Sequence, residues 1–227
     1  MYSFSSKIKL TALISMIVGL VAVIYSFIAT PSSVADLHQG GEAAHDPAHL
    51  EHMLHMLQNK PWAALYVAAL FFLLISLGVL AFYAINRAAQ AGWAPILFRV
   101  MEGITGYLPV GALIFFVLLV CSGLHLNHLF IWMDPQVVAH DTIIQGKTGY
   151  LNVPMFLVRA AVYLLGWIAY RQITRKLSLQ QDVATDNRPF IKAFKWSAGF
   201  LVFFLVSESM MSWDWIMSVD PHWFSTL

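Results

Sequence analysis

Five apolar stretches, separated by polar segments, constrain this chain more tightly than any motif in it. A helix needs about 20 predominantly apolar residues to cross a bilayer, because lipid offers the backbone no hydrogen-bonding partner outside the helix itself. The stretches run from about Ile8 to Ala29, Pro61 to Ile85, Tyr107 to Leu129, Leu151 to Tyr170 and Ala193 to Met217. Of the 227 residues, 59% are apolar or aromatic and 11% are charged, against about a quarter charged in soluble domains. The expectation is an all-α, polytopic membrane protein with five transmembrane spans. Pro61, Pro109 and Pro154 each fall near the start of a span, where the missing N–H removes nothing from the helix.

The N-terminal "KIKLTALISMIVGLVAVIYSFIA" has basic residues before an apolar run, as a secretory leader does. The run is longer than a leader's apolar region, and no small-x-small site precedes Pro31, so it reads as a retained span. Cys121, the single cysteine, lies within an apolar run and reads as a small packing residue. One cysteine can form neither an internal disulfide nor a zinc or iron–sulfur ligand set.

Charge sets the expected orientation. Lys7, Lys9, Arg87, Arg99, Arg171, Arg175, Lys176, Arg188, Lys192 and Lys195 fall on one side of the spans. Lys60 and Lys147 fall on the other, and Arg159 lies inside the fourth span. The N-terminus is therefore expected in the cytoplasm. Residues 1–29 are then a flanking transmembrane helix, 30–60 a histidine-rich outer loop and 61–217 a four-helix transmembrane bundle. Residues 218–227 form an outer segment, and the apolar ending "HWFSTL" reads as the entry to a further span. All nine histidines lie in outer segments or at the outer end of the third span, which gathers titratable groups at one water interface.

Three constellations can carry chemistry. Arg159 and Glu208 are placed at similar depths by a rise of about 1.5 Å per residue, so adjacent antiparallel helices can pair them. The pair is either a structural lock or a proton carrier tuned by a cation, since intramembrane ionisable groups are rare and usually functional. Asp214 follows Glu208 by six residues and points about 120° away from it. It sits between Trp213 and Trp215, which fit an interfacial aromatic belt.

His125 and His128 are three apart, which on a helix gives one polar face at the outer end of the third span. Bis-histidine haem draws its ligands from separate helices, and no partner histidine lies in another span, so a hydrogen-bonding or proton-relay role is expected. In "HDPAHLEHMLHM", His45, His49, His52 and His55 lie near Met53 and Met56. This segment can be read as a soft-metal site or as a solvated amphipathic helix facing a partner. No metal site is expected of it, since nothing fixes a coordination geometry.

The stretches "VVAHDTIIQGKTGYLNVPMFLVR" and "SESMMSWDWIMSVDPHWFSTL", with the N-terminal "MYSFSSKIKL", carry a resemblance. They resemble the ActF-type membrane subunits of bacterial alternative complex III, within the NrfD and PsrC type of integral membrane proteins. The resemblance implies about ten spans built as two four-helix bundles with flanking helices, of which this chain supplies the first bundle. It implies a multi-pass protein of the bacterial inner membrane, within a respiratory quinol:electron-acceptor oxidoreductase. The implied partners are an ActC-like quinol subunit, an iron–sulfur subunit on the outer side and haem c subunits, together with lipids and no nucleic acid. The implied role of this subunit is a proton path or a quinone-type site, with a purely structural anchor for redox subunits as the alternative. The matching positions are His140, Asp141, Arg159, Glu208, Asp214, Asp220 and His222. No electron carrier is expected in this chain, so the redox centres fall to the partners.

Overall fold

The structure, a computed structural model, describes residues 5–34 and 47–223, with the side chains of 47–49, 51 and 52 excepted. Every regular element among them is helical. Helices α1 (Ser6–Ile28), α2 (Pro47–Ala88), α3 (Pro95–Ile104) and α4 (Leu108–Gly123) come first. Two short helices follow, α5 (Pro135–His140) and α6 (Thr142–Lys147), then α7 (Val153–Val183) and α8 (Arg188–Met211). Five segments are long and apolar enough to cross a membrane: Ser6–Ile28, Met53–Ala88, Pro95–Gly123, Val153–Val183 and Arg188–Val219.

The chain divides into two compact units, Met1–Leu65 and Tyr66–Leu227. In the first, Ser5 caps α1 by accepting the Ile8 N–H, and α1 exposes apolar side chains on all sides. Phe27 meets Trp62 edge to face at 5.2 Å, and Gln58 donates to the Pro31 carbonyl at 3.4 Å.

The second unit is built up and down. Tyr66, Leu73, Leu77, Leu80 and Ala84 of α2 pack with Leu108, Phe115 and Leu119 of α4 in one core. Phe156, Tyr163 and Trp167 of α7 and Phe200 and Met211 of α8 complete it. One end, here the histidine end, holds residues 124–152 and 217–223; the other, the basic end, holds 87–107 and 171–195. The unit buries polar side chains within its apolar core and is apolar outside. Ser76, Ser122, Ser197, Ser207 and Asp214 are buried, while Leu113, Val158, Leu165, Val202 and Leu205 are more than half exposed. In lipid, apolar surface gains little from being hidden, and polar side chains are better spent on contacts between helices.

Several expected boundaries move. Pro61 lies inside α2 rather than at its start, because the segment from Pro47 continues as helix into the span. Pro109 and Pro154 do open their helices, as expected. The third span begins earlier, at Pro95, and ends at Gly123 rather than Leu129. There His125 adopts a left-handed φ of 57°. The Leu126 N–H bonds the Cys121 carbonyl and the His125 N–H bonds that of Ser122, which closes the helix as a Schellman motif. His125 and His128 therefore do not share a helix face. The fourth span runs on to Val183 and the fifth starts at Arg188, joined by the turn 184–187. In that turn Gln181 donates to the Asp186 carbonyl and accepts the Phe190 N–H.

Candidate functional site

Arg159 enters the core from the second turn of α7 and meets Asp214, not Glu208. Its Nε donates to Oδ2 at 2.8 Å and its Nη2 to Oδ1 at 2.7 Å, a two-pronged pairing. The Asp214 side chain is 0% exposed and that of Arg159 12%. Tyr163 donates its hydroxyl to Asp214 Oδ2 at 3.1 Å, and Arg159 Nη1 donates to the Tyr150 carbonyl at 3.1 Å. The guanidinium also lies over the Tyr150 ring, 3.9 Å from its centroid.

Local structure explains why Asp214 turns inward. After Met211 the helix widens into a π turn, Ser212–Ile216. Such a turn inserts a residue into the repeat and shifts the phase of the residues after it, a distortion frequent at functional sites. Ser218 anchors the turn by donating to the Asp214 carbonyl, and Tyr66 donates to the Trp215 carbonyl at 2.7 Å. Trp215 is wholly buried against Phe115, Tyr163 and Trp167. It is a core residue rather than part of an interfacial belt, whereas Trp213 remains exposed.

Glu208 lies on α8, ahead of the π turn that holds Asp214, and is half-buried. Among the described residues its carboxylate has no hydrogen bond or ion pair, in contrast to Asp214.

Beside the pair, a cavity of about 420 Å³ opens at the histidine end, walled by Tyr150, Trp213, Met217, Ser218 and Trp223, with Lys147 at its edge. The Tyr150 hydroxyl is buried beside Asp214 and Tyr163, without a hydrogen bond of full geometry to either. Burial, then the Asp214 charge, push that hydroxyl up to about 12. Lys147 Nζ donates to the Pro221 carbonyl at 2.5 Å, tying α6 to the segment after α8.

The remaining predicted residues fall near this end. Asp141 caps α6, accepting the Ile143 and Ile144 N–H groups at 2.9 and 3.1 Å. His222 Nε2 meets Asp141 Oδ2 at 2.6 Å, and His222 Nδ1 lies 3.9 Å from Asp220. Asp141 is held below the usual carboxylate range by the Ile144 N–H first, with His222 and the Ile143 N–H adding to it. Among the described residues His140 bonds within its own turn, to the Gln136 carbonyl at 2.9 Å. His125 is exposed, while the buried Asn127 accepts from Ser122 and from the Leu129 N–H. His45 and the side chains of His49 and His52 lie outside the described residues. Among the described residues no three His, Cys, Asp or Glu side chains group as a metal site.

A second polar cluster, at the basic end, is one that the sequence does not announce. Glu102 of α3 is 8% exposed and takes Arg99 at 2.9 Å and Arg175 of α7 on the same oxygen. Tyr83 of α2 donates to its other oxygen at 3.3 Å and accepts from Arg87 Nε at 3.2 Å. Arg87 lies over the Phe98 ring at 4.2 Å, and Arg99 also pairs with Asp182. The one linear signal is the Arg99–Glu102 spacing of three, which looks the same as charge in a solvated connection.

The chain matches no protein-family model and no curated protein.

Proposed function

We propose that this chain is a membrane subunit of a respiratory quinol:electron-acceptor oxidoreductase, of the ActF type in bacterial alternative complex III. In this reading the N-terminus and the basic end face the cytoplasm of a bacterium, and the histidine end faces outward. Iron–sulfur clusters and haem c belong to partner subunits docked on the outer face, alongside an ActC-like quinol subunit. Supporting it are the residue stretches that carry the resemblance and the separation of two carboxylates into different roles. Asp214 is locked by Arg159, while Glu208 stands inside a span with no partner among the described residues. A lone carboxylate at that depth costs at least about 2.5–3.5 kcal/mol, a penalty natural sequences retain for ion or proton pathways.

That unpaired Glu208 carries the reading: it takes up and releases the proton, and Arg159–Asp214 shapes the route's outer end. The test is Glu208→Gln in the assembled complex, with co-purification of haem c and iron–sulfur subunits checked first. The expected result is intact assembly with a lowered proton-to-electron ratio. An unchanged ratio in an intact complex sinks the proton path.

The donors that wall the cavity beside the pair do not fit the quinone that the same reading implies. The Tyr150 hydroxyl is buried beside Asp214 and Tyr163 rather than open to the cavity, and Ser218 and Lys147 are bonded to the carbonyls of Asp214 and Pro221.

The alternative reading is a structural anchor for redox subunits, favoured by the completeness of the Arg159–Asp214 bonding. It predicts that Asp214→Asn lowers the yield of the complex, while Glu208→Gln changes neither yield nor proton stoichiometry.

A further inference from the structure

A groove of about 530 Å³ runs between α7 and α8, on the side away from the Arg159–Asp214 pair's cavity and toward the basic end. Gly166, Ala169 and Ile173 form one wall, and Trp196, Gly199 and Phe203 the other. The two glycines shape it in opposite ways. Nothing stands within 4 Å of where a Cβ on Gly199 would lie, so the missing side chain leaves free space. At Gly166 the Phe203 ring would come within 2.4 Å of a Cβ, so the ring fills the inner end. The floor is the flat stack of Tyr170 on Phe200, whose centroids are 3.8 Å apart.

The groove has one charged mouth. Lys195 lines it directly. Lys192 follows one turn nearer the basic end of α8, and Lys176 lies one turn beyond Ile173 on α7. The antiparallel register is fixed by Trp167 bonding Ser207 and Tyr170 bonding Ser197, and it brings Lys176 level with Lys192. All three lysines are exposed. The carboxylates nearby are already engaged: Glu102 by Arg99 and Arg175, Asp182 by Arg99, and Asp186 by Arg188. Among the described residues the three ammonium groups have no partner.

We infer that this groove is a binding site for an acidic phospholipid, one acyl chain lying along Gly199 and the phosphate held by Lys176, Lys192 and Lys195. The chemistry is complementary at both ends. An apolar slot about two helical turns long accepts the upper part of a chain, and three unpaired cations at headgroup depth accept an anion. Basic pockets between membrane helices bind acidic headgroups on this principle. Trp196, 52% exposed at the same level, suits the boundary between headgroup and chain. Lipid held here braces the α7–α8 hairpin, the element that carries Arg159 and leads into Asp214.

The experiment measures thermal unfolding of the full chain in mixed micelles containing phosphatidylglycerol, phosphatidylcholine or inorganic phosphate. Phosphatidylglycerol at saturation is expected to raise Tm by about 5 °C, with little response to the other two. Lys192→Gln with Lys195→Gln should abolish the preference for the acidic lipid. Gly199→Leu, whose Cβ would have no protein atom within 4 Å and whose longer side chain occupies the slot, should abolish the shift with the lysines intact. Lys7→Gln with Lys9→Gln should change nothing. Equal shifts from both lipids, the full shift from phosphate alone, or an undiminished shift in the Gly199→Leu variant overturns the inference. So does retention of the preference by the double lysine variant. If Gly199→Leu instead expels a protein subunit from a purified complex while the lipid preference persists, the groove seats a helix and not a lipid.

Discussion

Asp214 and Glu208 show how the same side-chain chemistry meets opposite surroundings six residues apart. Asp214 meets two guanidinium N–H groups and a phenol hydroxyl in a space closed to solvent. Removing either charge strands the other, a loss of about 3–5 kcal/mol. Arg159→Leu or Asp214→Leu alone should therefore lower thermal stability in detergent sharply. The double Leu variant should recover a large part, since an apolar replacement for both leaves no buried charge. A double variant as unstable as the singles would show that the contacts to Tyr150 and Tyr163, rather than the charge pair, hold this region together. Sequence alone marks Arg159 as needing a partner, but depth counted from span midpoints selects Glu208. That selection fails because midpoints do not set register. The actual register follows from the turn at 184–187, which brings Arg159 level with the start of the π turn.

Helix ends decide where the polar groups of this chain can go. The α4 terminus is closed by a histidine in a conformation that glycine adopts without cost. A left-handed φ costs a β-carbon-bearing residue about 1–2 kcal/mol, so His125→Gly should stabilise the protein by about 1 kcal/mol. Denaturation in detergent checks this. A loss of stability would mean that the imidazole ring makes a contact worth more than the backbone strain. The element's outline was legible in the apolar run and in Pro109. Its end was not, because "SGLHLNH" continues the helical pattern and only the Schellman hydrogen bonds show where it stops. The same holds for α2, which runs through Pro61 because the residues before it are as helix-competent as those after.

At the scale of the whole second unit, the histidine end is knitted by contacts between distant segments. Asp141 joins α6 to His222, and Lys147 joins it to Pro221. Asp141 is held below its ordinary range in the folded state, so it binds a proton less readily there than in the unfolded chain. Its contribution is complete above the ordinary carboxylate value and disappears as pH falls through the depressed folded value. Thermal unfolding followed against pH should show an acid-side loss of stability that Asp141→Asn diminishes. An unchanged acid limb in that variant would assign the loss to other carboxylates. By itself the sequence determined the class of this protein: a bilayer demands long apolar helices, and five such runs with few charges permit little else. It also determined that Arg159, Glu208 and Asp214 needed explaining, since charge is costly at that depth. Tertiary structure alone decided which carboxylate Arg159 takes, that Trp215 is core, and that Glu102 gathers two arginines at the other end. Those outcomes depend on helix register and on a π turn, and a shift of one residue turns a side chain by about 100°.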